Sequence, residues 1–176
     1  MSRKQLPNKK ELVSRVREIL ESLQEETDRG AAIVGESYLS DALDTLLLKI
    51  MINDPKAAKA LLNGSLRKFN ARIELAYCLG YVSERIRDKM HIIGQIRNEF
   101  AHTNEDLHYD SDRIRSYCNG LSSRPLPAST NSGVIRKRFM SAVVQLAKQV
   151  LLLAHSPLLK PWYHPVDVIP RRPGSE

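Results

Sequence analysis

Residues 83–102 read SERIRDKMHIIGQIRNEFAH, and this stretch decides the fold class. Its apolar side chains recur at steps of three or four residues, the spacing of one helical face; they are Ile86, Met90, Ile93, Ile96 and Phe100. Ser83 stands where a side-chain oxygen can cap the first turn. The stretch therefore predicts a long amphipathic helix that ends near His102.

The same spacing extends outward from this stretch in both directions. It predicts further helices after Asn8, from Thr27 or Asp28 to about Ile50, from Pro55 to Leu62, from Ser65 to Leu79 before Gly80, from Asp112 to Asn119, and from Val134 to Ala154. No strand-like alternation of useful length occurs. The sequence therefore predicts an all-α, single-domain bundle of six to seven helices that covers residues 1–156.

Two segments lack the helical pattern. Residues 121–132 are rich in Pro, Ser and Asn, so we expect an exposed and mobile loop. Residues 157–176 contain five of the nine prolines around the single tryptophan, Trp162. They predict an extended Pro-rich tail that Trp162 and Tyr163 dock on the helices or on a second subunit.

The composition is that of an ordinary globular chain, with 176 residues of which 42% are hydrophobic. A chain of this length can bury a core without a disulfide or a metal, so we expect Cys78 and Cys118 to be buried free thiols. No membrane span or signal peptide is evident, which predicts a cytoplasmic protein. No metal site and no cofactor is predicted.

The net charge of +7 is unevenly distributed. Residues 1–106 carry 17 Lys and Arg against 16 Asp and Glu, whereas residues 107–176 carry ten against four. Part of this excess lies at Arg136, Lys137 and Arg138, on the first turn of the last predicted helix. These cations oppose the helix dipole, so they are a candidate anion-binding group, although a solvated basic face explains them as well.

The end of the deciding stretch carries a second candidate site. Arg97 and His102 lie about 140° apart in helical projection and about 7.5 Å apart along the axis, so their side chains could converge only at a loosened helix end. A His base and an Arg that holds phosphate would suit metal-free RNA cleavage. With Asn98 between them, the pair resembles the signature of HEPN ribonucleases.

A structural interpretation of these residues competes with the catalytic one. Charged residues also interrupt apolar positions at Asp28 and Arg29 and at Arg72 and Glu74, and partly buried charges must pair internally. We therefore expect one polar cluster where three helices meet, formed by Asp28, Arg29, Arg72, Glu74, Arg97, Asn98 and His102.

Three blocks of the sequence read TDRGAAIV at 27–34 with Tyr38-Leu39, ARIELAY at 71–77 with Leu79-Gly80, and IRNEFAH at 96–102. In this order they resemble the three blocks of the mannitol operon repressor (MltR) family. The resemblance covers roughly residues 25–103. It implies an all-α protein of transcriptional regulation in which no DNA-reading motif is evident.

Three functions follow from these observations. The first is a non-enzymatic regulator of MltR type that acts through a protein partner, as a homo-oligomer. The second is a HEPN-like, metal-independent endoribonuclease that uses Arg97 and His102. The third is a direct nucleic-acid binder that uses the basic residues Arg136, Lys137 and Arg138 with Arg171 and Arg172 of the tail.

Overall fold

The computed structural model describes residues 9–51, 54–103 and 107–156, with side chains from Ser14 onward. These residues form seven helices and no strand: α1 Lys9–Glu25, α2 Asp28–Ile50, α3 Pro55–Asn63, α4 Phe69–Cys78, α5 Glu84–His102, α6 Asp112–Gly120 and α7 Ser132–Ala154. The predicted all-α helical domain is confirmed. The predicted tail, with Trp162, Tyr163, Arg171 and Arg172, lies outside the described residues.

The two longest helices, α2 and α7, form the centre of the bundle. Helix α2 packs most extensively against α7 and next against α5, while α1 covers α7 and α4 covers α5. At Gly35 the two central helices approach closely, because an added Cβ would lie 3.2 Å from the ring of Phe139 and from Val143. Ala31 and Ala32, in the first turn of α2, are fully buried.

Three aromatic rings join α5 to α7 through the connection that precedes α6. Tyr109 is fully buried, and its ring centroid lies 5.1 Å from that of Phe100 and 5.3 Å from that of Phe139. Tilted ring pairs at this separation are favourable beyond the area they bury. Within the described residues the hydroxyl of Tyr109 has no hydrogen-bond partner.

Most helix ends follow from local sequence. The side chains of Thr27, Asp54 and Ser83 accept hydrogen bonds from first-turn amides of α2, α3 and α5, and the cap at Ser83 is the one predicted above. Gly80 has φ +75°, and two amides close the end of α4: Gly80 to the Tyr77 carbonyl and Tyr81 to the Ala76 carbonyl. Such a helix end favours glycine, because other residues adopt positive φ at a cost.

Two predictions around α4 are wrong. Ser65 does not begin this helix, because the amides of Gly64 and Leu66 bond to the Ala60 and Leu61 carbonyls and so complete the end of α3. The helix begins instead at Phe69. Leu79, the predicted last residue of the helix, lies instead at the C-terminal cap and is 42% exposed.

The cysteine prediction holds for one residue only. Cys118 is buried, and burial raises the pKa of its thiol to about 12, so the thiol stays protonated. Cys78 is exposed, because the last turn of α4 directs Ile73 and Ala76 toward the core and Cys78 away from it. Both thiols are free.

The segment that joins α6 to α7 is held at several points. Arg115 donates to the Pro127 and Thr130 carbonyls at 3.2 and 2.8 Å, and the Leu126 amide donates to the Asn119 side chain at 2.8 Å. Leu121, predicted as part of an exposed loop, is buried. Asn131 caps α7, which therefore begins at Ser132, two residues before the predicted start.

Candidate functional site

The surface around Arg97 is a groove between α2, the beginning of α4 and α5. Its volume is about 560 Å³. We call it the polar groove and define it by its charged and amide side chains, which are Glu36, Asp41, Arg67, Lys68, Asn70, Arg97 and Asn98. It contains cations and carboxylates together, so its charges are largely balanced.

Arg97 faces a carboxylate that the sequence did not single out. Its Nε lies 3.5 Å from Glu36 Oε2, and its Nη1 donates to Asn98 Oδ1 at 3.1 Å. Burial raises the pKa of Glu36, while the charges of Arg97 and Arg72 lower it and offset part of that effect. Glu36 is therefore a half-buried acid that pairs with Arg97 and lies within range of the charge of Arg72.

Arg72 anchors the neighbouring part of α2. Its Nε lies 3.0 Å from Asp44 Oδ1, and its Nη1 donates to the hydroxyl of Ser40. Burial raises the pKa of Asp44, an effect that Arg72 opposes and the nearby charge of Asp41 reinforces. This ion pair joins α4 to α2 on the side next to the polar groove.

Asp28 belongs to a different set of contacts. Its Oδ2 lies 3.2 Å from His108 Nδ1, and its Oδ1 lies 3.6 Å from Arg136 Nη1. Arg136 also donates to the carbonyls of Leu23, at 3.1 Å, and of Glu26. These bonds join the end of α1 and the beginning of α2 to the first turns of α7.

Two further predicted residues have partners of their own. Arg29 donates to the carbonyl of Thr103, which caps the end of α5. Glu74 lies 2.6 Å from Nε2 of His91, a half-buried histidine of α5. The residues of the predicted polar cluster therefore lie in separate sets of contacts among the described residues. Within that cluster only Arg97 and Asn98 bond to each other, beside Glu36.

His102 stands apart from the predicted cluster. It is exposed at the last position of α5, and its side chain makes no hydrogen bond or ion pair with the described part of the chain. Among the described residues, His102 therefore does not share contacts with the other residues of the predicted cluster.

The three basic residues of α7 do not form one anion-binding surface. Arg136 is committed to the end of α1 and to Asp28, as described above. Arg138 donates to the carbonyl of Arg124 at 2.6 Å, on the side of the α6–α7 connection. Lys137 is the exposed member of the group.

Sequence reasoning missed Glu36, although a signal for it exists. The acid lies among Ala32, Gly35 and Leu39, all buried positions of α2. A lone carboxylate on such a face must be paired or pay a desolvation cost, so it predicts a basic partner. The identity of that partner depends on the packing of α2 against α5, which the local pattern does not contain.

The described chain is similar in structure to a chain of the X-ray structure of the MtlR-HPr complex from Escherichia coli. The TM-score is 0.62 and the sequence identity is 19%, over 79% of this chain and 99% of that chain. The likeness is in the fold. It fits the resemblance of the three sequence blocks to the MltR family, whereas no family model and no curated protein matches the sequence significantly.

The fold brings the three resembling blocks together. They lie at the beginning of α2, along α4 and at the end of α5, and these three helices pack pairwise on one another. Among the described residues, no helix is long and apolar enough to cross a membrane, and no group of three His, Cys, Asp or Glu side chains is suitably placed to hold a metal ion.

Proposed function

We propose that this chain is a non-enzymatic regulatory protein of MltR type that acts in transcription through contacts with a protein partner. The observation that carries the proposal is the fold match, which spans nearly the whole of a chain solved in complex with a second protein, HPr. The three sequence blocks support it independently, because they lie on helices that the fold packs together.

The packing of the helices supports a protein partner over direct base readout. A recognition helix needs a free face that can enter the major groove of DNA. Helix α5 contacts α2, α4, α6 and α7, and α4 buries Phe69, Ile73 and Ala76 against its neighbours. Helices α4 and α5, which follow Gly64 and Gly80, therefore use these faces to pack within the bundle.

Parallel binding assays test the proposal. Labelled HPr from the source organism and labelled duplex DNA are each titrated with the chain, and fluorescence anisotropy is followed across a series of salt concentrations. We expect saturable binding of HPr. Tight DNA binding without HPr binding would contradict the proposal, and a steep loss of DNA binding with salt would mark a contact with phosphates only.

Sedimentation velocity of the chain alone tests the predicted homo-oligomer.

A HEPN-like endoribonuclease is the second candidate, favoured by the exposed and unpaired His102. Arg97, the matching cation, is held by Glu36 and Asn98 and so is less available to a phosphate. Incubation of RNA with the pure chain in a chelator decides between the two functions. Cleavage that disappears in both Arg97→Ala and His102→Ala, with folding retained, would establish the enzyme, whereas an intact RNA excludes it.

A further inference from the structure

A second groove lies away from Arg97, between the beginning of α5, the first half of α7 and the connection after α6. It consists of two adjoining depressions of about 300 and 350 Å³. Both include Arg85 and Lys89 of α5 and Gln145 of α7. We call it the basic groove and define it by Arg85, Lys89, Arg138, Ser122, Ser123 and Ser141.

The three cations of the basic groove have no acidic neighbour. No Asp or Glu lines either depression, and none of the three has a carboxylate oxygen within 4.0 Å in the described part of the chain. The acids nearest in sequence, Glu84 and Asp88, pair with Arg87 at 3.5 and 2.8 Å. Arg87 lies over the ring of Tyr77, so these acids are engaged at α4.

Two of the positive charges in the basic groove, those of Arg85 and Lys89, are close enough to interact. Lys89 is half-buried, and burial followed by the charge of Arg85 lowers its pKa. Both effects disfavour the ammonium, whereas a bound anion would favour it through its opposite charge. Arg138 is oriented by its 2.6 Å bond to the Arg124 carbonyl, which uses one of five guanidinium donors and leaves the others for a ligand.

The polar groove differs from the basic groove in the charges that line it. It also contains three cations, Arg67, Lys68 and Arg97, but Glu36 and Asp41 lie among them. An anion there would meet carboxylates as well as cations. Of these two grooves, the basic groove is therefore the one in which a small anion gains more.

We propose that the basic groove binds the phosphate group of a small phosphorylated molecule. Its cations supply charge-assisted donors, and the hydroxyls of Ser122, Ser123 and Ser141 and the amide of Gln145 can complete the coordination of phosphate oxygens. Leu121 and Leu146 add apolar surface for an organic portion. The cations converge from two helices on one place instead of following a stripe, which suits a single phosphate group better than a polynucleotide.

The size of the groove agrees with that ligand class. Depressions of about 300 Å³ are at the lower end of the range for small-molecule sites. The site lies apart from the polar groove and shares none of its residues.

The test uses inorganic phosphate and phenyl phosphate as probes, with sodium chloride at matched ionic strength as the reference. Ligand that binds only the folded state raises the thermal midpoint in a saturable manner. We expect both probes to do so for the parent chain. Lys89→Gln and Arg85→Gln are each expected to weaken binding by about tenfold or more, since each removes a charged donor. Lys137→Gln is the control, because it removes an exposed cation of α7 outside the groove.

The folding of the variants is checked in chloride alone. Lys89→Gln is expected to melt no lower than the parent, because it removes a half-buried charge that lacks a partner. A midpoint that rises no more in either probe than in chloride would overturn the proposal. So would equal losses in Lys137→Gln and Lys89→Gln, which would indicate a general charge effect. A single-stranded oligonucleotide that binds through Lys89 while both small probes fail would overturn it in favour of a polynucleotide.

Discussion

At the residue scale, two polar side chains, Glu36 and Tyr109, lose contact with water on folding, and each loss lowers the free energy of unfolding. Glu36 is a carboxylate in a half-buried position that two arginines compensate only in part. Tyr109 is a fully buried phenol whose hydroxyl has no partner among the described residues, and burial raises its pKa well above the usual value. Each offers a substitution that removes the polar group while keeping the shape of the side chain.

Glu36→Gln should change how stability depends on pH. Because the folded-state pKa of Glu36 is raised above 4.5, the folded chain binds more protons than the unfolded chain as pH rises through that value. The contribution of Glu36 to the free energy of unfolding therefore falls with increasing pH, and Gln lacks this loss. Urea unfolding of both proteins from about pH 4.5 to pH 7 should show a difference that moves steadily in favour of the variant. A difference that moves the other way would mean that the ion pair with Arg97 outweighs desolvation.

Tyr109→Phe should leave the free energy of unfolding unchanged or raise it by up to about 1 kcal/mol. The substitution removes a hydroxyl that loses its hydrogen bonds to water on folding and has no hydrogen-bond partner among the described residues. Urea denaturation measures the effect, with Tyr109→Ala as the control, for which we expect a loss of about 3–5 kcal/mol. If Tyr109→Phe itself costs more than about 1 kcal/mol, the hydroxyl has a partner in solution.

At the scale of elements, the joint between α1, α2 and α7 explains the position of Arg136. Because α7 begins at Ser132, Arg136 lies in its second turn, where it opposes the dipole of α7 only weakly, and it is favourable at the end of α1, where it meets the carbonyls of Leu23 and Glu26. It also pairs with Asp28, at the beginning of α2. One side chain therefore fixes three helix ends.

Arg136→Met should lower the free energy of unfolding by about 2 kcal/mol, since it leaves carbonyls of α1 and the carboxylate of Asp28 without this donor. Lys137→Met is the matched control, because Lys137 is exposed one position along the same turn. Its loss should be neutral or stabilising by up to about 1 kcal/mol, as it removes a cation that opposes the dipole. Thermal melts of the two variants compare them directly, and equal midpoints would contradict the proposed joint.

At the scale of the whole molecule, the sequence predicts where helices begin but not which side chains meet across helices that are distant in sequence. Helix caps such as Thr27 and Ser83 depend on residues three positions away, so α2 and α5 begin where the sequence predicts. The bonds from Arg29 to Thr103 and from Arg136 to Leu23 span 74 and 113 residues. No periodicity contains such partners, which is why the predicted polar cluster named suitable residues but not their contacts.

The basic groove illustrates the same limit. Arg85 and Lys89 are four residues apart, so their shared helical face was readable from the sequence. Arg138 joins them only because α5 and α7 pack together. The anion-binding prediction at Arg136, Lys137 and Arg138 grouped neighbours in sequence, whereas the fold separates them and gives Arg138 new neighbours.

Calorimetric titration of the chain with HPr from its source organism tests the proposed partner-dependent function most directly. The proposed function predicts a saturable heat of binding with a fixed stoichiometry. The absence of any binding heat at two well-separated temperatures, with both proteins folded at about 100 μM, would contradict it.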